Sequence, residues 1–238
     1  MASQDLDNNC KMSTLYSISR QYKGSLIPAH ATDESIDAWK TFKFRKDDVL
    51  LLGYNKSEVV YVLRNPKDIV ISMFDFMKHF KDESGQQIEE NFDYLLQDFI
   101  FGNVPYGGWC QHVTSYEALH GKVDNILFVT YEDMKKNLPA VIRSVAKHIG
   151  HDVTDDVVNK VVENTTMETM RKNYAKAMES RKQESPSSEP TPLHAFLSKG
   201  IAGRWKTECK EDTWELLEKI FKEKVKDTVY ARRYFECE

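Results

Sequence analysis

The chain has 238 residues, 41% hydrophobic and 29% charged, with a formal net charge of −4, enough for one sizeable core and most economically a single domain over residues 1–238. The acidic balance argues against a general nucleic-acid or membrane-surface binder, while permitting a local basic pocket.

At the amino end, residues 1–7 lack the basic and apolar regions of a signal peptide, and no apolar run along the chain is long enough to cross a bilayer. The expectation is a soluble, cytoplasmic protein. Signals are weak up to Phe44, which reads as loop with one short helix from Asp33 to Thr41. Asp47 to Tyr54 reads as a buried strand. Val59 to Leu63 is short, β-rich and without alternation, as expected of a strand buried on both faces of a parallel sheet. Only six residues separate Leu52 from Val59, too few for a parallel crossover. The two strands are therefore expected either as an antiparallel hairpin or with the first displaced to an edge, and the amino-terminal part as the least stable region.

Helix-start chemistry follows the second strand at once. Asn65 can cap, Pro66 suits the first helical position and Asp68 puts a carboxylate in the first turn, so Ile69 to Phe80 is expected as helix. Arg64 then sits where a strand's carboxyl end meets a helix amino end, a usual place for an anionic ligand in an α/β sheet. Ser72 lies on that helix, within reach of the same ligand. Two readings of these residues stay open at this level: a ligand site, or an Arg64–Asp68 pair beside a surface serine.

Lys81 to Gln87 reads as a polar loop, Ile88 to Phe101 as a helix, Gly102 to Trp109 as a turn and Cys110 to Leu119 as another helix. His112 on that last helix reads as structural, beside Trp109, rather than as a general base, since no partner acid is placed by the sequence. Asn125 to Thr130 is a further buried strand, leading through Tyr131-Glu132-Asp133 to a helix whose stripe of Ile142, Val145, Ala146 and Ile149 is closed by Gly150. Glu132 and Asp133 suggest a metal at first sight, but adjacent acids at a helix start read as caps, and no metal is expected. The repeated strand, turn and helix supports an α/β fold with a central, mostly parallel sheet flanked by helices, incomplete on its amino-terminal side.

Thr154 opens the next helix, and Thr165 with Glu168 reads as a capping box for the one after it. A mobile loop is expected over about residues 180–193, where Ser, Glu and Pro dominate. Trp214 to Lys226 reads as an amphipathic helix with Trp214, Leu217, Phe221 and Val225 on one face. The four scattered cysteines, Cys10, Cys110, Cys209 and Cys237, form no CxxC pair and are expected as reduced thiols. No GxxxxGK[ST] occurs, which argues against a P-loop NTPase.

Arg64-Asn65-Pro66-Lys67-Asp68, followed by Ser72 at this spacing, closely resembles the signature of the cytosolic sulfotransferases. The resemblance runs from about Tyr22 to the carboxyl end, through Tyr22 to Pro28, Asp47 to Tyr54, Gly102 to Val113, Thr165 to Asn173 and Phe196 to Lys206. It implies a sulfotransferase fold and an enzyme moving a sulfuryl group from 3′-phosphoadenosine 5′-phosphosulfate (PAPS) to a hydroxyl or amine of a small acceptor, such as a phenol or a steroid. It implies that Arg64 and Ser72 hold the 3′-phosphate and that Tyr131 contacts the adenine. Thr165, Thr166, Met167 and Met170 would pack on adenine and ribose, and Phe196, Leu197, Ser198, Lys199 and Gly200 would close on the 3′-phosphate.

Departures from the pattern bear on catalysis. The family's phosphate loop, its helix and the segment with the base histidine are missing between Tyr54 and Asn55; Lys56 and Ser57 match either a remnant of that loop or the polar lead-in to the next strand. The lead-in is the better match, because no glycine or threonine pair follows and no helix starts there. Ser198 replaces a phosphate-binding arginine, and Arg204 an aspartate. No catalytic residue is assigned; Lys56 and His79 are the alternatives for the lost base. A catalytically silent family member that binds nucleotide weakly or acts through protein contacts is the alternative function. Lys210 and Glu211 occupy the Thr-Val positions of the family's dimer motif, so a homodimer is allowed but its motif is degenerate.

Overall fold

The computed structural model describes residues 19–22, 25–28, 58–79, 91–104, 107–184 and 199–236. The expectations for the helix at 33–41, the strand at 47–54, the loop at 81–87 and the hairpin-or-edge placement of the first strand lie outside the described residues. Two short strands, β1 (Ser19–Tyr22) and β2 (Ser25–Pro28), pair antiparallel with Tyr22 opposite Ser25. The loop expected there is thus corrected. The signal was two residues, one of them glycine, between two short runs, a hairpin spacing.

The centre of the molecule is a parallel pair, β3 (Val59–Leu63) and β4 (Ile126–Thr130), in the register Val59 to Ile126 through Leu63 to Thr130. Parallel pairing requires a long crossover, and the chain supplies one in three helices: α1 (Pro66–Met77), α2 (Phe92–Phe101) and α3 (Trp109–Glu117). Asn65 caps α1 and Asn91 caps α2 through their side chains, while Gly102 ends α2 in the left-handed conformation with φ 81°.

After β4 the chain forms α4 (Tyr131–Lys136) and α5 (Leu138–His148), where one helix was expected. The break falls at Asn137, which caps α5 ahead of Pro139, because proline in a first turn begins a helix rather than continuing one. α6 (Asp155–Asn164) starts at the Thr154 cap as expected. α7 (Met167–Glu184) extends into the segment expected to be mobile. Arg181, Lys182, Gln183 and Glu184 are good helix formers, and the first breaker after them is Pro186.

A short α8 (Trp205–Glu208), a 3₁₀ turn (Glu211–Trp214), α9 (Glu215–Val225) and a last 3₁₀ turn (Ala231–Tyr234) complete the described chain. α9 buries Leu217, Phe221 and Val225 beside Trp214, the face read from the sequence. Its Phe221 ring stacks on Trp109 of α3 at 5.6 Å with an interplanar angle of 4°, so the crossover helices and the carboxyl-terminal helix share one core with Leu63, Val70, Leu95 and Val113. The carboxyl-terminal segment is clasped by Glu117, whose buried carboxylate accepts backbone N–H groups from Val229 at 2.5 Å, Tyr230 at 2.9 Å and Ala231 at 2.8 Å. Cys110 and Cys209 are free thiols; Cys10 and Cys237 lie outside the described residues.

Candidate functional site

The strand register builds the centre of the site. Because Leu63 and Thr130 are paired, the residues that follow them, Arg64 and Tyr131, leave the sheet side by side. The Arg64 guanidinium lies over the Tyr131 ring, 4.4 Å from its centroid, a cation–π contact. Its Nε is buried and has no hydrogen-bond partner. A guanidinium donor without an acceptor is costly in the free protein and suited to an anion.

The turn carrying Arg64 is fixed from both sides. Asn65 Oδ1 accepts from the Lys67 amide at 3.0 Å, closing the cap of α1, and the Asn65 amide donates to Glu132 Oε1 at 3.0 Å. The other oxygen of Glu132 accepts from the Tyr234 hydroxyl at 2.7 Å. Burial first, and then the Glu132 charge, holds that phenol well above its ordinary range. Next to it, Asp133 is held below its ordinary value, first by a hydrogen bond within the cap that Thr130 makes and then by Arg233. Glu132 and Asp133 thus serve the helix start and its neighbours, and no cluster suited to a metal occurs among the described residues.

Asp68 does not pair with Arg64. Fully buried, it accepts the Gly203 amide at 2.5 Å and the Trp205 amide at 3.1 Å, so the local reading that paired the two is corrected: 135 residues of sequence separation hid its partners. Ser72 and Asp75 follow Asp68 at i+4 and i+7, the spacing of one helix face. Ser72 is half-buried there. Asp75 accepts from Arg204 at 2.6 Å. Arg204 is only 4% exposed and also grips Glu208, its Nε 2.8 Å from Oε1 and its Nη2 2.7 Å from Oε2. This pairing accounts for an arginine where the family pattern has aspartate: the charge reversal is met by two acids. Glu208 Oε1 also accepts from Lys199 Nζ at 2.9 Å, and the bonds from Arg204, then Lys199, hold the Glu208 carboxyl down at about 2.

Gly200 has φ 68°, and a Cβ built on it would come within 2.8 Å of Met167 Sδ. The positive φ favours glycine there, and the close approach places the segment after residue 198 directly on the start of α7. The structure therefore brings Arg64 to Tyr131, Gly200 to Met167, and the segment carrying Lys199 and Gly200 to the face of α1 that bears Ser72. Thr165, Thr166 and Met170 flank Met167, while Phe196, Leu197 and Ser198 lie outside the described residues. The expected capping box is shifted by one residue. Thr165 closes α6, its hydroxyl donating to Val161 O at 2.8 Å, and Thr166 caps α7 by accepting the Thr169 amide at 3.1 Å. Two threonines in a row served two helix ends.

Sequence reasoning missed a cavity of about 580 Å³ beside the start of α1, lined among others by Asn65, Lys67, Gly203, Trp205, Arg233 and Tyr234. Lys67 there sits 3.8 Å over the Trp205 ring and pairs with Glu218. His112 receives or donates a 2.8 Å bond with the Tyr61 hydroxyl and lies against Tyr116. Burial lowers its pKa and pushes that of Tyr61 far up. Lys56 lies outside the described residues.

Residues 51–229 match the family model described as "Sulfotransferase domain". Among curated proteins, the chain is 34% identical over 152 residues to sulfotransferase 1A1 of Canis lupus familiaris, covering 64% of this chain and 49% of that protein. It is 33% identical over 183 residues to the amine sulfotransferase of Oryctolagus cuniculus, covering 74% and 57%. The chain thus spans about half the length of the curated relatives it matches. Among solved structures, mouse sulfotransferase SULT7A1 complexed with PAP superimposes with a TM-score of 0.72 at 19% identity, over 91% of this chain and 97% of that one. Retinol dehydratase, in a complex with retinol and PAP, superimposes with a TM-score of 0.59 at 26% identity, over 72% and 48%. No described helix is long and apolar enough to cross a membrane. With a family model matching well over half of its length, and α/β architecture shared with these structures, the chain belongs to the sulfotransferase family.

Proposed function

We propose that this chain binds a 3′-phosphorylated adenine nucleotide of the PAPS type in the half-site formed by Arg64, Ser72, Tyr131 and the Thr165 to Met170 segment. The observation that carries this reading is the buried Arg64 Nε without a partner, held over Tyr131 at the end of a parallel strand pair. Guanidinium donors recognise phosphate in forked geometry, and PAP accompanies both solved relatives named above. Phe196, Leu197, Ser198, Lys199 and Gly200 complete the proposed set.

The reaction at issue is sulfuryl transfer to a small alcohol or amine acceptor, a phenol or steroid among them. In that reaction the acceptor oxygen or nitrogen bonds to sulfur as the bond between sulfur and the nucleotide's phosphate oxygen breaks, and the acceptor's proton needs a base. A positioned base contributes roughly 10²- to 10⁴-fold, and loss of one preorganised donor costs roughly 10²- to 10³-fold. Without the block after Tyr54 the chain lacks both the base histidine and the phosphate loop, and Ser198 stands where the closing arginine would be. We therefore assign the chain nucleotide binding with transfer near background, the reading of a catalytically silent family member. Its setting is cytoplasmic and its partner is a small molecule rather than nucleic acid, membrane or metal. A homodimer through the family motif is not favoured, because Lys210 and Glu211 stand at its centre.

Two assays separate the parts. Calorimetric titration with PAP is expected to give saturable one-site binding, and labelled PAPS with a panel of phenols, steroids and amines is expected to give no product above the enzyme-free control. Acceptor-dependent product above that control overturns the silent reading; absence of binding by the folded chain overturns both.

A further inference from the structure

Lys199 and Arg204 are two of the cations of the segment that packs on α1 and Met167, and one carboxylate serves both. Glu208 Oε1 accepts Lys199 Nζ at 2.9 Å and Arg204 Nε at 2.8 Å. Arg204 keeps a second acid, Asp75 at 2.6 Å, whereas for Lys199 the ion pair with Glu208 is exposed on the lysine side. The two ties differ in strength: a forked, buried arginine pair is firm, while a single exposed lysine pair exchanges readily. Gly200 is pressed against Met167 and Gly203 is tied to Asp68, which fixes the backbone on the carboxyl side of Lys199. Its long side chain can turn either to Glu208 or to an incoming anion.

We infer that Glu208 is an internal competitor for Lys199: it occupies the lysine that would otherwise contact the 3′-phosphate, and so sets the affinity for 3′-phosphorylated nucleotides. The inference rests on the nucleotide reading above and adds to it a residue that weakens the ligand rather than holding it. Binding then requires Lys199 to exchange one oxyanion for another, while Arg204 stays on Asp75 and Glu208 and keeps the segment docked. The carboxylate is ionised throughout the physiological range, since its neighbours hold it near 2, so the competition is constant.

The test is calorimetric titration of the whole chain and of Glu208→Gln with PAP and, separately, with adenosine 5′-monophosphate, which lacks the 3′-phosphate. Releasing an exposed ion pair worth up to about 1 kcal/mol predicts about two- to fivefold tighter PAP binding in Glu208→Gln. No gain is expected for adenosine 5′-monophosphate, nor for PAP when Lys199→Ala is added to Glu208→Gln. A gain of affinity cannot arise from damage to the fold. Should Glu208→Gln not fold, Glu208→Asp, whose shorter arm keeps an acid beside Arg204 but withdraws it from Lys199, is expected to show the same gain. Unchanged or weaker PAP binding in the variant, with the parent chain binding normally, overturns the inference and leaves the nucleotide reading standing. Equal gains with both nucleotides overturn it too, and absence of PAP binding by the parent chain and both variants overturns the reading beneath it.

Discussion

The charged groups on α1 and its surroundings fall into two regions with opposite accounting. Along the face of Asp68 and Asp75, and in the Glu117 clasp, each buried charge named above meets a partner: two amides on Asp68, two acids on Arg204, three amides on Glu117. One turn away, at the carboxyl ends of β3 and β4, Arg64 keeps a buried Nε with no acceptor. Buried polar groups that are matched hold a fold together, and one left unmatched calls for a separate explanation. The matched region is architecture. The unmatched one is where the proposed nucleotide would contribute what the chain does not.

Substitutions that break the matched side are expected to show first as a loss of stability. Glu117→Ala strands three amides, that of buried Ala231 among them; at about 1–3 kcal/mol for a buried unpaired donor and less for the two partly exposed ones, urea unfolding should report a loss of roughly 3–6 kcal/mol. Asp68→Ala strands two, and a loss of roughly 2–4 kcal/mol is expected from the same measurement. Thr166→Ala removes the cap of α7 and is expected to cost about 1 kcal/mol, with Thr165→Ala costing less because its hydroxyl only back-bonds within the last turn of α6. A thermal melt in which Thr165→Ala is the more damaging of the two would contradict the cap assignment.

The smallest effect is a pH dependence. Glu208 is depressed from 4.5 to about 2 in the folded chain, so its contribution to stability is fully present above about pH 5 and is lost as pH falls toward 2. Comparing melting temperatures of the parent chain and Glu208→Gln across that window, the gap between them should close on acidification. A gap that stays constant from pH 6 to 2 would show that the carboxylate is not held down by Arg204 and Lys199.

What was legible in the sequence was local. Asn65 and Pro66 announced the start of α1, the uninterrupted β-rich runs announced β3 and β4, and the spacing of Trp214, Leu217, Phe221 and Val225 announced the buried face of α9, since caps, strand runs and helical periodicity act over a few residues. Pairings across 67 to 135 residues were not legible: Asp68 with Gly203, Asn65 with Glu132, Glu117 with Ala231. For Arg204 with Asp75, 129 residues apart, a signal was present, because an arginine at 204 in place of an acid asks for new acids nearby, and Asp75 shares a helix face with Asp68. The hairpin of β1 and β2 was lost among weak propensities. The cap at Thr166 was lost because Thr165 offers the same hydroxyl one residue earlier.

The most direct test of the contrast between the two regions is to measure, on the same preparation of Arg64→Ala, both urea unfolding and the titration with PAP. Among the described residues Arg64 makes a ring contact with Tyr131, worth about 0.5–2 kcal/mol. Stability within that range of the parent, together with PAP binding weakened tenfold or more, is the predicted result. Binding equal to the parent's, or a stability loss as large as that of Asp68→Ala, would place Arg64 among the residues that merely hold the fold.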